Sequence, residues 1–244
     1  MNAVVSTITQ LLPAEIITTD PEQITLYSQD VFTVGQPICA VVRPRNIDEV
    51  QALVRACLER GTPIVTRGGG MSYTSGYIAN APDSVLIDMA SMDAIVEVNL
   101  EDRYVTVEAG CSWQKLHEHL APLGVRTAYW GTLSGRYATV GGGLSQNSIF
   151  WGSGQSGTAA DNVLSVSVVT GKGDLLETGS AAQQHAAPFT RHFGPDLTGV
   201  FLGDCGALGI KVRATLPLVP LAGAKGYTSF AFEESGPMLR AMAQ

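Results

Sequence analysis

Apolar and polar positions in the first part of the chain follow the pattern of a strand–helix–strand unit. PICAVVRP (37–44) is a short apolar run typical of a buried strand. The next segment predicts a helix that Asn46 caps and Gly61 ends. Its apolar side chains share one helical face: Ile47, Val50, Leu53, Val54 and Leu58. PIVTR (63–67) then predicts a second strand.

The pattern farther along the chain favours strands joined in hairpins. SVLIDM (84–89) predicts a strand, and IVEVNLEDRYVTVEAG (95–110) predicts a hairpin that turns near Glu101–Asp102. A second hairpin is predicted through GKG within residues 162–179, and a last strand in ALGIKVRATLPLVP (207–220).

A helix and a long aperiodic stretch lie between the two hairpins. SWQKLHEHLAPLG (112–124) predicts a helix capped by Ser112. Three of its leucines are predicted to face the core: Leu116, Leu120 and Leu123. Residues 125–161 show little periodicity and many Gly, Ser and Thr. Such a long loop inside a compact domain is usually functional, and small polar residues suit an extended polar ligand.

The end of the sequence predicts a strand followed by a helix. SFAFE (229–233) has the alternation of a strand, and Ser235 is placed to cap a helix beginning at Gly236–Pro237. One strand and part of one helix cannot close a hydrophobic core. We therefore expect residues 221–244 to be the start of a further, incomplete domain.

Composition narrows the class of protein. The chain has 45% hydrophobic and 15% charged residues, and its 27 glycines occur in clusters. A net charge of −7 without a Lys/Arg run disfavours nucleic-acid binding. No apolar run is long enough to span a membrane, and no signal peptide is recognisable. The four cysteines form no CxxC pair, so we expect free thiols, no metal site and a cytoplasmic protein.

Three glycine clusters carry the candidate chemistry. The first glycine segment, RGGGMS (67–72), follows the second predicted strand, at the edge where open α/β sheets usually hold ligands. Its backbone N–H groups can form a concave nest for a phosphate, with Arg67 adding charge and Ser72 a hydroxyl. A tight turn between two strands is the alternative, but a turn does not need three glycines.

The other clusters indicate the size of the ligand. The second glycine segment is ATVGGGLSQNS (138–148), and the third glycine segment is DCGALGIKV (204–212). A P-loop pattern is absent, and the GxGxxG at residues 152–157 leads into a strand instead of opening a helix, so it is not a dinucleotide fingerprint. Three separated small-residue segments fit a dinucleotide-sized ligand better than a mononucleotide.

Four stretches resemble one flavoprotein family in order and spacing: RGGGMSYTSG, TVGGGLSQ, DNVLSVSVVTGKGDLLETG and CGALGIKV. They are similar to the FAD-binding domain of the vanillyl-alcohol oxidase family, the PCMH-type fold, over about residues 10–220. LLPAEIITTDPEQITLYSQD resembles the N-terminal extension of the glycolate and D-lactate dehydrogenase type. The resemblance implies an α+β fold of two α/β subdomains with FAD extended between them.

The resemblance also implies a domain plan and a set of cofactor-binding residues. An N-terminal extension (1–36) precedes the FAD-binding domain (37–220), whose subdomains are about 37–93 and 94–220, and residues 221–244 begin a substrate or cap domain. The implied cofactor-binding residues are Arg67, Gly68, Gly69, Gly70, Met71, Ser72, Gly76, Thr132, Ser134, Thr139, Gly141, Gly142, Ser145, Gly206, Gly209 and Ile210.

Departures from the family pattern bear on how FAD is held. Met71 stands where many relatives carry a histidine that bonds covalently to the flavin, and Thr139 and Val140 stand near a position where some carry a cysteine. We therefore expect non-covalent FAD. Cys205 stands where the glycolate and lactate group often has an acidic residue.

Other candidate residues have simpler interpretations. His117 and His119 are two apart on a predicted helix and face different ways, which disfavours a metal pair. The three tryptophans, Trp113, Trp130 and Trp151, are expected to pack, although Trp130 and Trp151 flank the second glycine segment, where stacking on a ring remains an alternative. No GxSxG motif exists, which disfavours a hydrolase.

The predicted function follows from the resemblance. It implies an FAD-dependent oxidoreductase that oxidises a 2-hydroxy acid such as glycolate or D-lactate, or a related alcohol, by hydride transfer to the flavin. In this family the catalytic base comes mostly from the following domain, so no base is assigned. The alternative is a catalytically incomplete flavin-binding module that needs another domain or a second chain.

Overall fold

Two β-sheets with helices around them form an α+β fold. The computed structural model describes residues 2–129, 131, 134–150 and 152–243, and the predicted site residue Thr132 lies outside them, as do Trp130 and Trp151. The strands are β1 (Ile17–Thr18), β2 (Ile38–Val42), β3 (Ile64–Arg67), β4 (Ser84–Asp88), β5 (Ile95–Asn99), β6 (Tyr104–Glu108), β7 (Val125–Thr127), β8 (Ser165–Val169), β9 (Leu175–Glu177) and β10 (Ile210–Pro220). The α-helices are α1 (Ala3–Leu11), α2 (Pro21–Tyr27), α3 (Ile47–Arg60), α4 (Trp113–Leu120), α5 (Val140–Ser145), α6 (Ser153–Ser156), α7 (Leu197–Val200) and α8 (Ser235–Met242).

The first lobe is built on the predicted strand–helix–strand unit. Its sheet has the order β1-β2-β4-β3, with β2, β4 and β3 parallel and β1 antiparallel at the edge. Helix α3 connects β2 to β3. The Asn46 side chain accepts a hydrogen bond from the Glu49 N–H at 2.9 Å, and Gly61 ends the helix with φ +61°. Both predicted caps are therefore confirmed.

The core of the first lobe lies under α3 and includes the N-terminal extension. Val50, Leu53 and Val54 are buried together with Val4 and Ile8 of α1. Because β1 also pairs with β2, residues before the first predicted strand are part of this lobe. Leu58, predicted on the apolar face, is 58% exposed, so that assignment was wrong.

The second lobe is an antiparallel sheet in the order β5-β6-β10-β8-β9, with β7 paired to the far end of β10. Both predicted hairpins are present. Its core includes Val107, Val168 and Leu216 from the sheet and Leu116 and Leu120 from α4.

Three local predictions for the second lobe and the C-terminal segment were wrong. Leu123 is 44% exposed because α4 ends at Leu120 and the chain continues as a short 3-10 turn closed by Gly124. The 229–233 segment is not a strand, since none of its described residues pairs with a neighbouring strand. Helix α8 begins at Ser235, and its cap position is Glu234, which makes no side-chain cap hydrogen bond.

The two lobes contact each other through α3 and the β8–β9 turn. Gln51 and Arg55 both donate hydrogen bonds to the carbonyl oxygen of Gly173, at 2.7 and 2.8 Å. The carboxyl end of β3 also faces the second lobe, and the candidate site lies at that point.

Candidate functional site

A cavity of about 730 Å³ lies where the carboxyl end of β3 meets the second lobe. Pockets of 300–1,000 Å³ are typical of ligand and cofactor sites. Its wall contains every predicted site residue in the described part of the chain: Arg67, Gly68, Gly69, Gly70, Met71, Ser72, Gly76, Ser134, Thr139, Gly141, Gly142, Ser145, Gly206, Gly209 and Ile210. The three glycine segments, which are far apart in sequence, therefore meet around one space.

The first glycine segment needs glycine for a reason that the sequence did not reveal. A Cβ on Gly68 would overlap the Thr139 hydroxyl, and one on Gly69 would lie 2.5 Å from the carbonyl carbon of Tyr137. Gly70 has φ +66°, a left-handed conformation that side chains disfavour. The glycines thus let the first and second glycine segments pack backbone against backbone, which fixes one wall of the cavity.

The second glycine segment is partly helical, whereas the sequence predicted a loop. Thr139 caps α5 by accepting a hydrogen bond from the Gly142 N–H at 3.2 Å. Gly141 lies against Ala109, because an added Cβ would be 2.7 Å from the Ala109 Cβ. Close packing against the end of β6 therefore stabilises α5, although its glycines have low intrinsic helix propensity.

Polar side chains of the first two segments bond to one another. The Ser72 and Thr74 hydroxyls lie 2.9 Å apart, and Thr74 donates to Gln146 Oε1 at 3.1 Å. Ser145, a predicted ligand hydroxyl, donates to the Gly141 carbonyl at 2.8 Å. Thr74 and Gln146 were missed from the sequence, because nothing local links two polar residues so far apart.

The third glycine segment is held by a buried ion pair. Lys211 Nζ and Asp204 Oδ1 lie 2.7 Å apart, and each side chain is only 2% exposed. Asp204 also accepts a hydrogen bond from the Gly206 N–H at 3.0 Å. Burial lowers the pKa of Lys211, and the nearby Asp204 carboxylate opposes that shift. The sequence feature that could have indicated this ion pair is a lysine inside the apolar run of the last strand.

The charges around the cavity favour an anion. Among the described lining residues, Arg67 and Lys211 are cationic and no carboxylate is present, although the whole chain carries −7. The buried Asp204 balances Lys211. Arg67 makes no ion pair in the described part of the chain, and its Nε is buried there without a hydrogen-bond partner. A multiply charged anion would supply the counter-charge that Arg67 lacks.

Other candidate chemistry stays away from this cavity. His119, His185 and His192 are exposed. Across the described ranges, no group of three His, Cys, Asp or Glu side chains is placed to hold a metal ion. None of the helices that the structure describes has the length and apolar character needed to cross a membrane.

Comparisons with known proteins agree with the geometry. The family model described as "FAD binding domain" matches residues 38–179, more than half of the chain. The chain is 34% identical over 178 residues to "D-lactate dehydrogenase [cytochrome], mitochondrial" of Arabidopsis thaliana, covering 73% of this chain and 30% of that protein. It is 31% identical to "Glycolate oxidase subunit GlcD" of Bacillus subtilis, covering 74% of this chain and 37% of that protein.

Solved structures share the fold. A substrate-bound p-cresol methylhydroxylase superposes with a TM-score of 0.78 at 21% identity, covering 91% of this chain and 44% of that one. An alkyldihydroxyacetonephosphate synthase gives a TM-score of 0.77 at 20% identity, covering 91% and 44%. The chain spans about a third of the length of the curated relatives it matches. The predicted family resemblance and the predicted α+β fold are confirmed.

Proposed function

This chain belongs to the FAD binding domain family, and we propose that its cavity holds FAD with the diphosphate against the first glycine segment. The observation that carries the proposal is one cavity of about 730 Å³ formed by three glycine segments, with an unbalanced Arg67 and no carboxylate among its described lining residues. Backbone N–H groups of small residues and one fixed cation suit a diphosphate. The cavity's apolar residues, including Met89 and Ile210, suit a flat ring system.

We propose that the cofactor is bound without a covalent link. Met71 lines the cavity and is 41% exposed, and a thioether cannot take the place of the histidine that links flavin in similar proteins. Visible absorption of purified protein, read before and after acid precipitation, tests this. Yellow colour released into the supernatant is expected. Colour held in the pellet would contradict the proposal, and Cys205→Ser would then test the thiol that also lines the cavity.

The proposed reaction is oxidation of a 2-hydroxy acid. Relatives named for D-lactate, glycolate and D-2-hydroxyglutarate support this substrate class. When bound, the flavin supplies the hydride acceptor. The residues of this chain hold the cofactor and shield it from water, and we propose that the base and the substrate ligands belong to another part of the full protein. Bleaching of the flavin of the full protein by D-lactate or glycolate without oxygen is the test, with L-lactate as the control.

A second candidate, a flavin-binding module that is inactive alone, is favoured by the C-terminal segment. Tyr227 and Phe230 are 87% and 80% exposed, and α8 has no buried residue. We propose that residues 221–244 begin a substrate domain that covers these apolar side chains. If the flavin of the full protein also stays oxidised with a panel of hydroxy acids and alcohols, the module is supported and the proposed oxidation is not. Cytoplasmic location also stays a prediction, since some relatives are named mitochondrial.

A further inference from the structure

The Arg67 side chain is stacked on two tyrosines. Its guanidinium carbon lies 4.5 Å from the ring centre of Tyr27 and 5.5 Å from that of Tyr77. Both distances fall within the range of about 6 Å for cation–π attraction. Tyr27 comes from the end of α2 and Tyr77 from the loop after the first glycine segment, so the Tyr27–Arg67–Tyr77 stack joins three separate parts of the first lobe.

The Tyr27 end of the stack is fixed to the first sheet. Tyr27 is buried, and its hydroxyl donates to Asp88 Oδ2 at 2.9 Å. Asp88 is the last residue of β4 and also accepts a hydrogen bond from Arg43 Nε at 3.0 Å. Strand β4 pairs with β3 at the Arg67–Asp88 register position. The stack therefore stands on the carboxyl ends of the parallel strands β3 and β4.

The Tyr77 end of the stack holds the first glycine segment. The Tyr77 hydroxyl donates to the Gly70 carbonyl oxygen at 2.9 Å. Gly70 also lies directly on the Arg67 guanidinium, because an added Cβ would overlap Arg67 Nη2. The Gly70 carbonyl is thus held by a buried donor. Gly70 and Tyr77 both line the cavity, so a Gly70 carbonyl released by Tyr77 and turned toward the ligand would repel a diphosphate.

We propose that the Tyr27–Arg67–Tyr77 stack preorganises the first glycine segment for a diphosphate, and that Tyr77 is a positioning residue whose hydroxyl holds the Gly70 carbonyl away from the ligand. The proposal rests on FAD binding as proposed above. If a segment has its binding conformation in only a fraction of the molecules, the apparent affinity for the ligand falls in proportion to that fraction. Loss of the Tyr77 hydroxyl should therefore weaken diphosphate ligands while the protein stays folded.

Tyr77→Phe, which removes only the hydroxyl, is the decisive variant. Tyr104→Phe is the matched control, because the Tyr104 hydroxyl donates to Glu97 at 2.7 Å in the second lobe, outside the cavity wall. Loss of a hydrogen bond of this kind corresponds to a change of roughly 2- to 10-fold in an equilibrium constant. We expect Tyr77→Phe to raise the Kd for FAD and for ADP by the same factor in that range, with the visible spectrum of bound flavin unchanged, and Tyr104→Phe to leave both Kd values unchanged.

Arg67→Lys provides a second test that keeps the charge. A lysine cannot reproduce the planar stack, so we expect weaker FAD binding from this variant as well. Wild-type affinity in a folded Tyr77→Phe would overturn the proposal whatever Arg67→Lys shows, as would a loss for FAD that ADP does not share. If these residues only stabilise the fold, the variants should melt at a lower temperature, and their Kd for FAD should equal the wild-type value wherever the protein is folded. Failure of the unaltered chain to bind FAD would instead refute the proposed function.

Discussion

Gly69→Ala tests whether contact between the first two glycine segments shapes the cavity. The new Cβ would lie 2.5 Å from the Tyr137 carbonyl carbon and 3.1 Å from the Ala138 nitrogen, and closer still to the Tyr137 oxygen. These are backbone atoms, so relief requires one segment to move away from the other. Overpacking of this kind costs about 1–3 kcal/mol. If that cost falls on the binding-competent arrangement, FAD affinity drops by roughly 5- to 150-fold.

Flavin fluorescence titration measures the Kd, and circular dichroism verifies that the variant is folded. Gly171→Ala is the control, because a Cβ there meets no atom within 4 Å and the residue lies in the exposed β8–β9 turn. We expect wild-type affinity from the control. Wild-type affinity from a folded Gly69→Ala would show that the backbone contact has no bearing on the shape of the site.

Three further predictions concern thiols, the buried ion pair and pH. At about pH 8, alkylation of the folded protein should modify Cys205 first, because Cys205 is exposed while burial raises the pKa of the other three thiols. FAD should slow this modification, because Cys205 lies on the cavity wall. Equal labelling of all four thiols would contradict the prediction. Lys211→Met leaves Asp204 buried without its cation and should lower the free energy of unfolding in urea by about 3–5 kcal/mol, and adding Asp204→Asn should recover part of that loss. Burial raises the pKa of Glu177, although the hydrogen bond from Ser167 opposes that shift, so the carboxylate destabilises the fold once the pH exceeds the ordinary pKa of a glutamate. Glu177→Gln should therefore raise the melting temperature at about pH 7 but not at about pH 4. An equal gain at both pH values would be evidence against this effect.

The parts of the site that depend on short-range pattern were predictable. An apolar run followed by three glycines placed the first glycine segment at the carboxyl end of β3, and the structure has it there. The caps of α3 were readable because Asn46 and Gly61 act on neighbouring backbone. Convergence of the three glycine segments was expected from their shared small-residue composition and from the family resemblance, because no local pattern links them.

The parts that depend on long-range contacts were not predictable. Helix α5 contains Gly141, Gly142 and Gly143, which oppose helix formation, and packing on β6 and α4 outweighs that propensity. The stack of Arg67 on Tyr27 joins residues from separate elements. The failed strand at 229–233 shows the converse case, in which a strand pattern has no described neighbour to pair with.

Hydrogen–deuterium exchange with and without saturating FAD shows whether the three glycine segments hold the cofactor, because it locates the ligand on the chain. We expect slower exchange at residues 67–72, 139–146 and 204–210, three stretches that contribute residues to the cavity wall, and little change in the β5–β6 hairpin. Exchange in residues 67–72 that stays the same while FAD is bound would contradict it.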